Sequence, residues 1–351
     1  MDIKEQKYSA HVPKGIQCVI GADIGGTNSN FGIFKKYNER PELLFSLHIK
    51  SKTISNFTEA VQEILCYINK NYEITIQDAL FAAAGVVSPY KDFSKPTNLD
   101  FTIDAHELKQ KTSLLCVYIV NDFEVIGYGI NLIDPKNVVC INTGKAKPHA
   151  NRAIIGAGTG LGKCTMFWSS YAGRYVPVAS EGGHADAAFQ TPSEFKLAEF
   201  IQKNEGFTCN ISWEDVLSGN GIERIYRFFQ KQSANFARNK KLEDLHPDEI
   251  FAKRDINGPS TSTFDLYTQL YARCAKNFTL DTLALGGLYI AGGIAAHNLP
   301  MFQTSLFKEE FINCGKQAHL LKETPIFVIT DYNVSLYGAA YYLYLEGVCA
   351  L

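Results

Sequence analysis

Apolar runs and amphipathic stretches alternate along the first third of the chain. Five apolar, β-rich runs predict strands: residues 16–22, 30–35, 43–49, 80–87 and 115–120. The last two runs are continuous, as expected of strands covered on both faces. The stretch 56–70 predicts a helix, because its apolar residues recur with helical spacing on one face. A second helix is predicted to follow the last of these strands through about Asn131.

The rest of the chain repeats this alternation. Strands are predicted from about Val138 around a glycine-rich turn, and again at 288–290 and 326–330. A helical region is predicted between them, from 193 to 283, and the stretch 334–345 predicts a closing helix. Strands that alternate with helices in two halves predict an α/β fold.

Length adds a prediction about domains. A chain of 351 residues, 46% of them apolar, can bury two modest cores. We expect an N-terminal tail at 1–14, a small α/β domain at 15–132 plus 327–351, and a large α/β domain at 133–326.

A glycine turn follows directly on the first predicted strand. It reads Asp23-Ile-Gly25-Gly26-Thr27-Asn28. Glycines let backbone N–H groups approach an anion, Thr27 and Asn28 add donors, and Asp23 can hold a divalent cation through its water shell. The turn can therefore grip a metal-bound phosphate, although paired glycines are also ordinary hairpin residues.

A second glycine-rich turn lies at 156–162, between two β-rich runs. It is not a P-loop, because Cys164 follows Gly162-Lys163 and Ala157 replaces the required upstream glycine. Nor does it match G-x-G-x-x-G. Gly158 and Thr159 of this turn, with the first turn, suggest two phosphate-gripping hairpins that hold a nucleoside triphosphate.

Composition excludes several classes of partner and site. Lys and Arg number 34 against 36 Asp and Glu, so the net charge of −2 gives no field for nucleic acid or anionic lipid. The nine cysteines form no C-x-x-C and are expected to be reduced core residues.

No apolar segment precedes Gly15, so no secretory signal is predicted. The uncharged stretch 282–307 contains glycines and Pro300, which predict a buried strand, turn and short helix rather than a membrane span.

From about Gly21 to Tyr341 the chain resembles the bacterial-type glucokinases, which belong to the superfamily of sugar kinases, actin and heat-shock chaperone ATPases. Seven motifs in family order carry the resemblance: 21–28, Thr97-Asn98, Asn121-Asp122-Phe123, 156–162, 181–186, 214–219 and 290–294. The resemblance implies two domains of ribonuclease-H-like (actin-like ATPase) fold, each a mixed sheet with flanking helices, around a central cleft. A zinc-binding cysteine cluster of the related repressor-type kinases has no counterpart here.

Asn121 and Asp122 follow a buried predicted strand, and ligands of α/β sheets collect at the carboxyl ends of strands. An Asp in this place is also often the N-cap of the next helix. The resemblance implies that Asp122 is the general base, which accepts the proton of the sugar 6-hydroxyl as that oxygen attacks the γ-phosphate of ATP.

Glu181 and His184 are three residues apart in a loop, where both can face one ligand. Zinc is disfavoured as that ligand, because only Asp186 could join them. By resemblance, five residues bind the hexose hydroxyls: Asn98, Asn121, Glu181, His184 and Glu214. A small alignment shift would exchange Glu214 for Asp215, and either could be a first-turn helix carboxylate.

Gly292 and Gly293 end a predicted strand, and by resemblance they lie beside the adenosine. They can equally form only the corner between a strand and a helix. Two residues depart from the family pattern: Asn30 replaces a common arginine and Val86 replaces a common proline. Both departures leave the proposed base unaffected and the affinity for the phosphoryl donor open.

The resemblance therefore implies an ATP-dependent glucokinase at the entry to glycolysis, with Mg²⁺ as cofactor of ATP. A kinase for another hexose or aminosugar is the first alternative, and a non-catalytic sugar-sensing regulator is the second. A cytoplasmic location is expected, glucose and ATP are the expected partners, and a homodimer is compatible with the sequence.

Overall fold

The structure is a computed structural model that describes residues 2–36, 40–233, 242–256 and 258–347. The chain divides into two compact units. Unit 1 comprises Met1–Pro135, Ser169–Ala179 and Asp331–Leu351, and unit 2 comprises Lys136–Trp168 and Ser180–Thr330. The domain boundaries expected from the sequence stay a prediction.

Unit 1 is built on a mixed six-stranded sheet. Its strands, in sheet order, are β1 (Lys4–Lys7), β4 (Glu42–Lys50), β3 (Asn28–Lys35), β2 (Cys18–Ile24), β5 (Ile76–Ala83) and β8 (Cys116–Asn121). The pairs β2–β5 and β5–β8 are parallel, and the other pairs are antiparallel. Strands β6 (Phe93–Ser94) and β7 (Ile103–Asp104) form a separate ribbon. Because β2, β5 and β8 run parallel, their carboxyl ends lie at one edge of the sheet.

Helices cover both faces of this sheet. They are α1 (Phe57–Tyr72), α2 (Ala105–Lys111), α3 (Asp122–Ile130) and α13 (Val334–Leu345). Helix α1 begins where the Asn56 side chain accepts from the Glu59 N–H, and it buries Val61 and Ile64 against one face. Helices α3 and α13 pack on the other face, where Val19 and Leu80 join Leu336 in a second core.

Unit 2 holds a second mixed sheet. Five strands follow one another in the order β11 (Leu161–Ser169), β10 (Arg152–Ala157), β13 (Gly287–Ala291), β14 (Ile326–Ile329) and β9 (Val138–Asn142). The pairs β10–β13 and β13–β14 are parallel, and the pairs β10–β11 and β14–β9 are antiparallel. Strand β12 (Arg174–Ser180) follows β11 along the chain.

The helices of this second half bury a large apolar core. They are α4 (Pro192–Glu205), α5 (Trp213–Val216), α6 (Gly219–Gln232), α7 (Pro247–Ala252), α8 (Gly258–Asp281), α9 (Gly293–His297), α10 (Leu299–Gln303), α11 (Ser305–Ile312) and α12 (Ala318–Glu323). Short 3-10 turns lie at Ser51–Thr53, Pro135–Asn137, Gly182–His184 and Gly315–Gln317. Tyr267 and Tyr271 of α8 are fully buried among the phenylalanines of this core.

The predicted α/β class with mixed sheets is confirmed, and the closing helix begins and ends where the sequence predicted. The strand predicted at 80–87 is wrong at both ends, because it runs Ile76–Ala83. The chain leaves the sheet at Ala84, whose carbonyl accepts from the Thr97 N–H, and Gly85 then turns with φ 98°. Within the expected N-terminal tail, Lys4–Lys7 form the edge strand β1, which pairs with β4.

Two further predictions meet the structure with different results. The uncharged stretch 282–307 forms a strand and short helices, as predicted, and no helix among the described residues combines the length and apolarity that a bilayer crossing requires. None of the eight described cysteines forms a disulfide with another described residue, but Cys66, Cys140 and Cys209 are exposed, so the expectation of core cysteines is wrong for these three. Cys349 and parts of the predicted helical region, 234–241 and 257, lie outside the described residues.

Candidate active site

The first glycine turn joins β2 to β3 and is held by hydrogen bonds on its buried side. The Gly25 N–H donates to the Asn28 carbonyl at 3.1 Å, which closes the turn. Buried Ser51 donates from Oγ to the Gly25 carbonyl at 2.5 Å and from its N–H to the Thr27 carbonyl at 3.0 Å. Thr27 and Asn28 are exposed, and Gly26, which precedes them, is half-buried. The turn therefore presents polar groups to solvent on a rigid base.

Asp23 stands one residue before the end of β2. Its Oδ2 accepts a hydrogen bond from Ser335 Oγ of α13 at 2.7 Å. Burial raises the pKa of Asp23, and the bond from Ser335 opposes that rise. A carboxylate without a cationic partner suits Mg²⁺. This ion is commonly held by one or two carboxylates together with waters and substrate phosphates. Among the described residues, no three His, Cys, Asp or Glu side chains are grouped so that they could hold a metal ion.

Asn121 and Asp122 lie at the junction of β8 and α3. Asn121, not Asp122, is the N-cap: its Oδ1 accepts from the N–H groups of Phe123 and Glu124 at 3.0 and 3.2 Å. Asp122 is the first residue of the helix, half-buried, and its Oδ1 accepts from the Phe123 N–H at 3.0 Å. The alternative that Asp122 merely caps the helix is therefore wrong.

A loop contact brings Asn98 toward the same end of the sheet. Asn121 Nδ2 donates to the Gly85 carbonyl at 3.1 Å. A Cβ at Gly85 would lie 2.5 Å from Thr97 Oγ1, so only glycine lets the Thr97-Asn98 segment pack here. Asn98 itself is exposed.

Strand register places these unit 1 residues at one edge. Asp23 is level with Ala82 of β5, and Ala83 is level with Asn121 of β8. Asp23, Asn98, Asn121 and Asp122 thus gather where the three parallel strands end. This edge combines a candidate cation ligand, a candidate base and two amides.

In unit 2, the second glycine turn joins β10 to β11. The Gly158 N–H donates to the Gly160 carbonyl at 2.8 Å, and the Gly158 carbonyl accepts from the Gly219 N–H at 3.0 Å. Gly219 begins α6, and buried Ser218 caps that helix. Thr159 at the tip of the turn is exposed. The turn is therefore tied to the start of helix α6.

Glu214 supports this same turn. Its Oε2 accepts from the Leu161 N–H at 2.8 Å, and a Cβ at Gly160 would lie 2.4 Å from that oxygen. Glu214 is in the first turn of α5, as the alternative interpretation expected. The neighbouring Asp215 uses Oδ2 to accept from Ser212 in a capping box. Glu214 is therefore a better candidate for a ligand contact than Asp215.

Glu181 precedes a 3-10 turn, Gly182–His184, that packs on β11, and His184 is the last residue of that turn. His184 Nε2 lies 3.7 Å from Glu181 Oε2, and both side chains are about half exposed, at 51% and 48%. A Cβ at Gly183 would lie 1.9 Å from the Leu161 carbonyl, so this close approach requires glycine. The Ala185 carbonyl accepts from the first residue of α5 at 2.9 Å. Glu181, His184 and Glu214 therefore surround the second glycine turn.

Gly292 and Gly293 form the corner between β13 and α9. Gly292 has φ 91°, and its Cβ would lie 2.6 Å from the Ala157 carbonyl at the base of the second turn, so the corner requires glycine there. Gly293 and Gly158 differ: neither has a positive φ, and a Cβ at either would meet no protein atom within 4 Å. The fold does not require glycine at these two positions. Open space beside bare backbone fits a ligand that approaches closely.

The sequence-predicted residues thus form two groups. Unit 1 holds Asp23, Gly25, Gly26, Thr27, Asn28, Asn98, Asn121 and Asp122, and unit 2 holds Gly158, Thr159, Glu181, His184, Glu214, Gly292 and Gly293. Ser51 and Gly219, which fix the two turns, were not among the predicted site residues. The motif at 214–219 gave a signal for Gly219, whereas Ser51 lies outside every motif.

Comparison with known proteins extends these observations. A family model described as Glucokinase matches residues 20–346. A glucokinase of Nostoc punctiforme is 32% identical over 341 residues, covering 92% of this chain and 97% of its own length. Among solved structures, a glucokinase from an Antarctic psychrotroph is 26% identical with a TM-score of 0.75, covering 94% of this chain and 99% of its own.

A second solved structure supports the fold. It is a glucokinase from Balamuthia mandrillaris in complex with glucose, and its TM-score is 0.80 at 22% identity. The match covers 93% of each chain.

Proposed function

The chain belongs to the glucokinase family, and we propose that it transfers the γ-phosphoryl group of ATP to the 6-hydroxyl of D-glucose. The observation that carries the proposal is the edge of the unit 1 sheet, where Asp23, Asn121 and Asp122 stand at the ends of parallel strands. That edge offers a candidate cation ligand, Asp23, and a second carboxylate, Asp122, at the start of α3.

Asp122 is proposed as the general base. Its carboxylate orients the sugar hydroxyl and takes the proton as the oxygen–phosphorus bond forms, while the bond to ADP breaks. Its place in the first turn of α3 puts the carboxylate at the positive end of the helix dipole. Positioning and charge neutralisation carry most of the acceleration, because the transferring phosphoryl group needs little covalent help.

The hexose is proposed to be held through its hydroxyls. Each hydroxyl donates and accepts, so amides, carboxylates and an imidazole are suitable partners. The proposed set is Asn98, Asn121, Glu181, His184 and Glu214. The half-exposed Glu181 and His184 side chains can turn to a ligand, and Glu214 keeps one oxygen for it while the other holds the Leu161 N–H.

The nucleotide is proposed to lie on the glycine positions. The proposed set is Asp23, Gly25, Gly26, Thr27, Asn28, Gly158, Thr159, Gly292 and Gly293. The open space at Gly158 and Gly293 supports this part of the proposal most directly. Mg²⁺, held through Asp23, would neutralise charge on the phosphates.

Other parts of the proposal rest on family likeness. They are the division into domains 15–132 plus 327–351 and 133–326, a cytoplasmic location, a role at the entry to glycolysis, and a homodimer. A kinase for another hexose or aminosugar is the alternative within the family. A sugar-sensing regulator without catalysis is disfavoured, because the candidate base and cation ligand are both present.

One assay tests the proposal. A panel of hexoses and aminosugars is combined with ATP, ADP and polyphosphate, and the formation of sugar phosphate and ADP is measured. Glucose with ATP and Mg²⁺ should give the highest kcat/KM. A higher kcat/KM for another sugar would favour the alternative kinase, and binding of glucose without turnover would favour the regulator.

A further inference from the structure

A row of polar side chains crosses the unit 1 sheet beside the candidate cation ligand. Asp23 of β2 is directly opposite Asn30 of β3, and Asn30 is directly opposite His48 of β4. Directly opposed residues of antiparallel strands project from the same face, with Cβ atoms about 4.5–5.5 Å apart. Asp23, Asn30 and His48 therefore share the face on which Ser335 of α13 contacts Asp23.

Hydrogen bonds link this row into a chain. His48 Nε2 lies 2.7 Å from Ser46 Oγ, and His48 Nδ1 lies 2.7 Å from Asn30 Oδ1. Ser46 is fully buried, whereas Asn30 and His48 are half-buried. The polar chain thus runs from the sheet interior to a side chain beside Asp23.

The hydrogen bonds from Ser46 through His48 to Asn30 all have the donor on the Ser46 side. Burial lowers the pKa of His48, so at neutral pH its ring is uncharged and carries a single N–H. Asn30 Oδ1 can only accept, which places that hydrogen on Nδ1. Nε2 then accepts from the Ser46 hydroxyl. The Asn30 carbonyl oxygen sets the tautomer of His48, Ser46 holds the His48 ring at Nε2, and the His48 ring holds the amide of Asn30 at Oδ1.

The Asn30 amide keeps its donors available. Its Oδ1 is used by His48, and none of the described residues accepts a hydrogen bond from its Nδ2. A side-chain amide whose plane is held at one end presents two N–H groups at the other. The neighbour across the strands is Asp23.

We propose that Asn30 is a positioning residue for the phosphoryl donor, and that His48 and Ser46 hold its amide so that Nδ2 donates to an oxygen of bound ATP·Mg²⁺ beside Asp23. This inference rests on the proposed kinase function. Asn30 replaces the arginine that is common at this position, so the donor here is neutral. The Asn30 amide depends on His48 for its orientation.

Equilibrium binding tests, independently of turnover, whether His48 acts on bound ATP·Mg²⁺ through Asn30. This action through Asn30 is called the relay below. The dissociation constants of ATP·Mg²⁺ and of glucose are measured by calorimetry for wild type, Asn30→Ala, His48→Leu and the double variant. Losing one oriented hydrogen bond should weaken ATP·Mg²⁺ by about 3- to 10-fold in each single variant. Glucose binding should stay within about twofold, since it involves no contact of Asn30.

The double variant separates a relay from two independent effects. If His48 acts through Asn30, His48→Leu should add nothing once Asn30 is Ala. Additive losses would overturn the relay, and so would unchanged ATP·Mg²⁺ binding in Asn30→Ala. If His48→Leu does not fold, Ser46→Ala takes its place in the cycle, with the same expected results.

Tyr72→Phe is the matched control. It removes a 2.7 Å hydrogen bond to Glu5, and its ring stacks on Phe45 of β4, which belongs to the core on the opposite face of the sheet. Its ATP·Mg²⁺ affinity should equal that of wild type, and an equal loss in the control would overturn the inference. A wild-type protein that binds neither ATP nor glucose would contradict the proposed function instead.

Discussion

Glu214 Oε2 accepts a hydrogen bond from the backbone N–H of Leu161 at 2.8 Å, across 53 positions of sequence. Glu214 therefore has two tasks in the proposed site: it supports the second glycine turn and it binds the hexose. Glu214→Gln keeps an oxygen for the Leu161 N–H, whereas Glu214→Ala leaves that N–H without its partner.

The two Glu214 variants should differ in their kinetics. Glu214→Gln should raise the KM for glucose with little change for ATP, and Glu214→Ala should raise both by roughly tenfold. Steady-state kinetics with each substrate varied in turn gives the comparison, and the exposed Glu199→Ala is the control. Identical profiles for the Gln and Ala variants would refute the support of the turn.

Alanine at the glycines separates those that the fold requires from those that a ligand requires. Gly158→Ala and Gly293→Ala meet no protein atom and no unfavourable φ, so stability should be unchanged or slightly increased. ATP binding should weaken roughly tenfold, because the methyl group occupies the open space. Gly292→Ala should instead destabilise the protein by about 1–3 kcal/mol, given φ 91° and the Ala157 carbonyl.

Urea unfolding and calorimetry check this contrast. Normal ATP affinity in both Gly158→Ala and Gly293→Ala would remove these glycines from the nucleotide site. A stable Gly292→Ala protein would contradict the described corner.

A buried ion pair predicts a loss of stability in acid. Arg273 Nη1 lies 2.7 Å from Glu194 Oε2, and both side chains are almost fully buried. Burial would raise the pKa of Glu194, but the hydrogen bonds from Arg273 and from the N–H groups of Gln190 and Thr191 outweigh it and hold that pKa below its usual 4.5. A depressed pKa means that the unfolded chain binds the proton more readily.

The contribution of Glu194 to stability should therefore be complete above about pH 4.5 and should fall as pH is lowered through the depressed pKa. Urea unfolding between pH 7 and pH 3.5 measures it. Glu194→Gln should be less stable at pH 7, by about 3–5 kcal/mol, and should show a shallower loss in acid. Parallel pH profiles for the two proteins would contradict this role.

Local patterns in the sequence predicted the five longer strands of the first sheet and the helices Phe57–Tyr72 and Val334–Leu345, but not the short strands β1, β6 and β7 or the helix α2. They did not predict where a turn is held. Ser51 fixes Gly25 from 26 positions away, and the Leu161 N–H that binds Glu214 has no local signal. Such contacts depend on register between distant strands, which periodicity does not determine.

In the candidate site too, the sequence pattern identified a residue but did not determine its contacts. Asp122 was found because it follows a buried strand, yet the sequence left open whether Asp122 only caps the next helix. The choice depends on side-chain geometry: Asn121 Oδ1 reaches the N–H groups of Phe123 and Glu124, and Asp122 already lies inside the helix. That geometry leaves the Asp122 carboxylate as a candidate base.

The turnover of Asp122→Ala, measured beside its glucose affinity, tests the proposed mechanism most directly. Because Asp122 is proposed to take the proton of the sugar hydroxyl, kcat should fall by roughly 10² to 10⁴ while the dissociation constant of glucose stays within a few-fold. The N-cap is Asn121, so the variant should fold normally, which circular dichroism verifies. A variant that keeps more than about a tenth of wild-type turnover, with glucose bound normally, would contradict the role of Asp122 as the base.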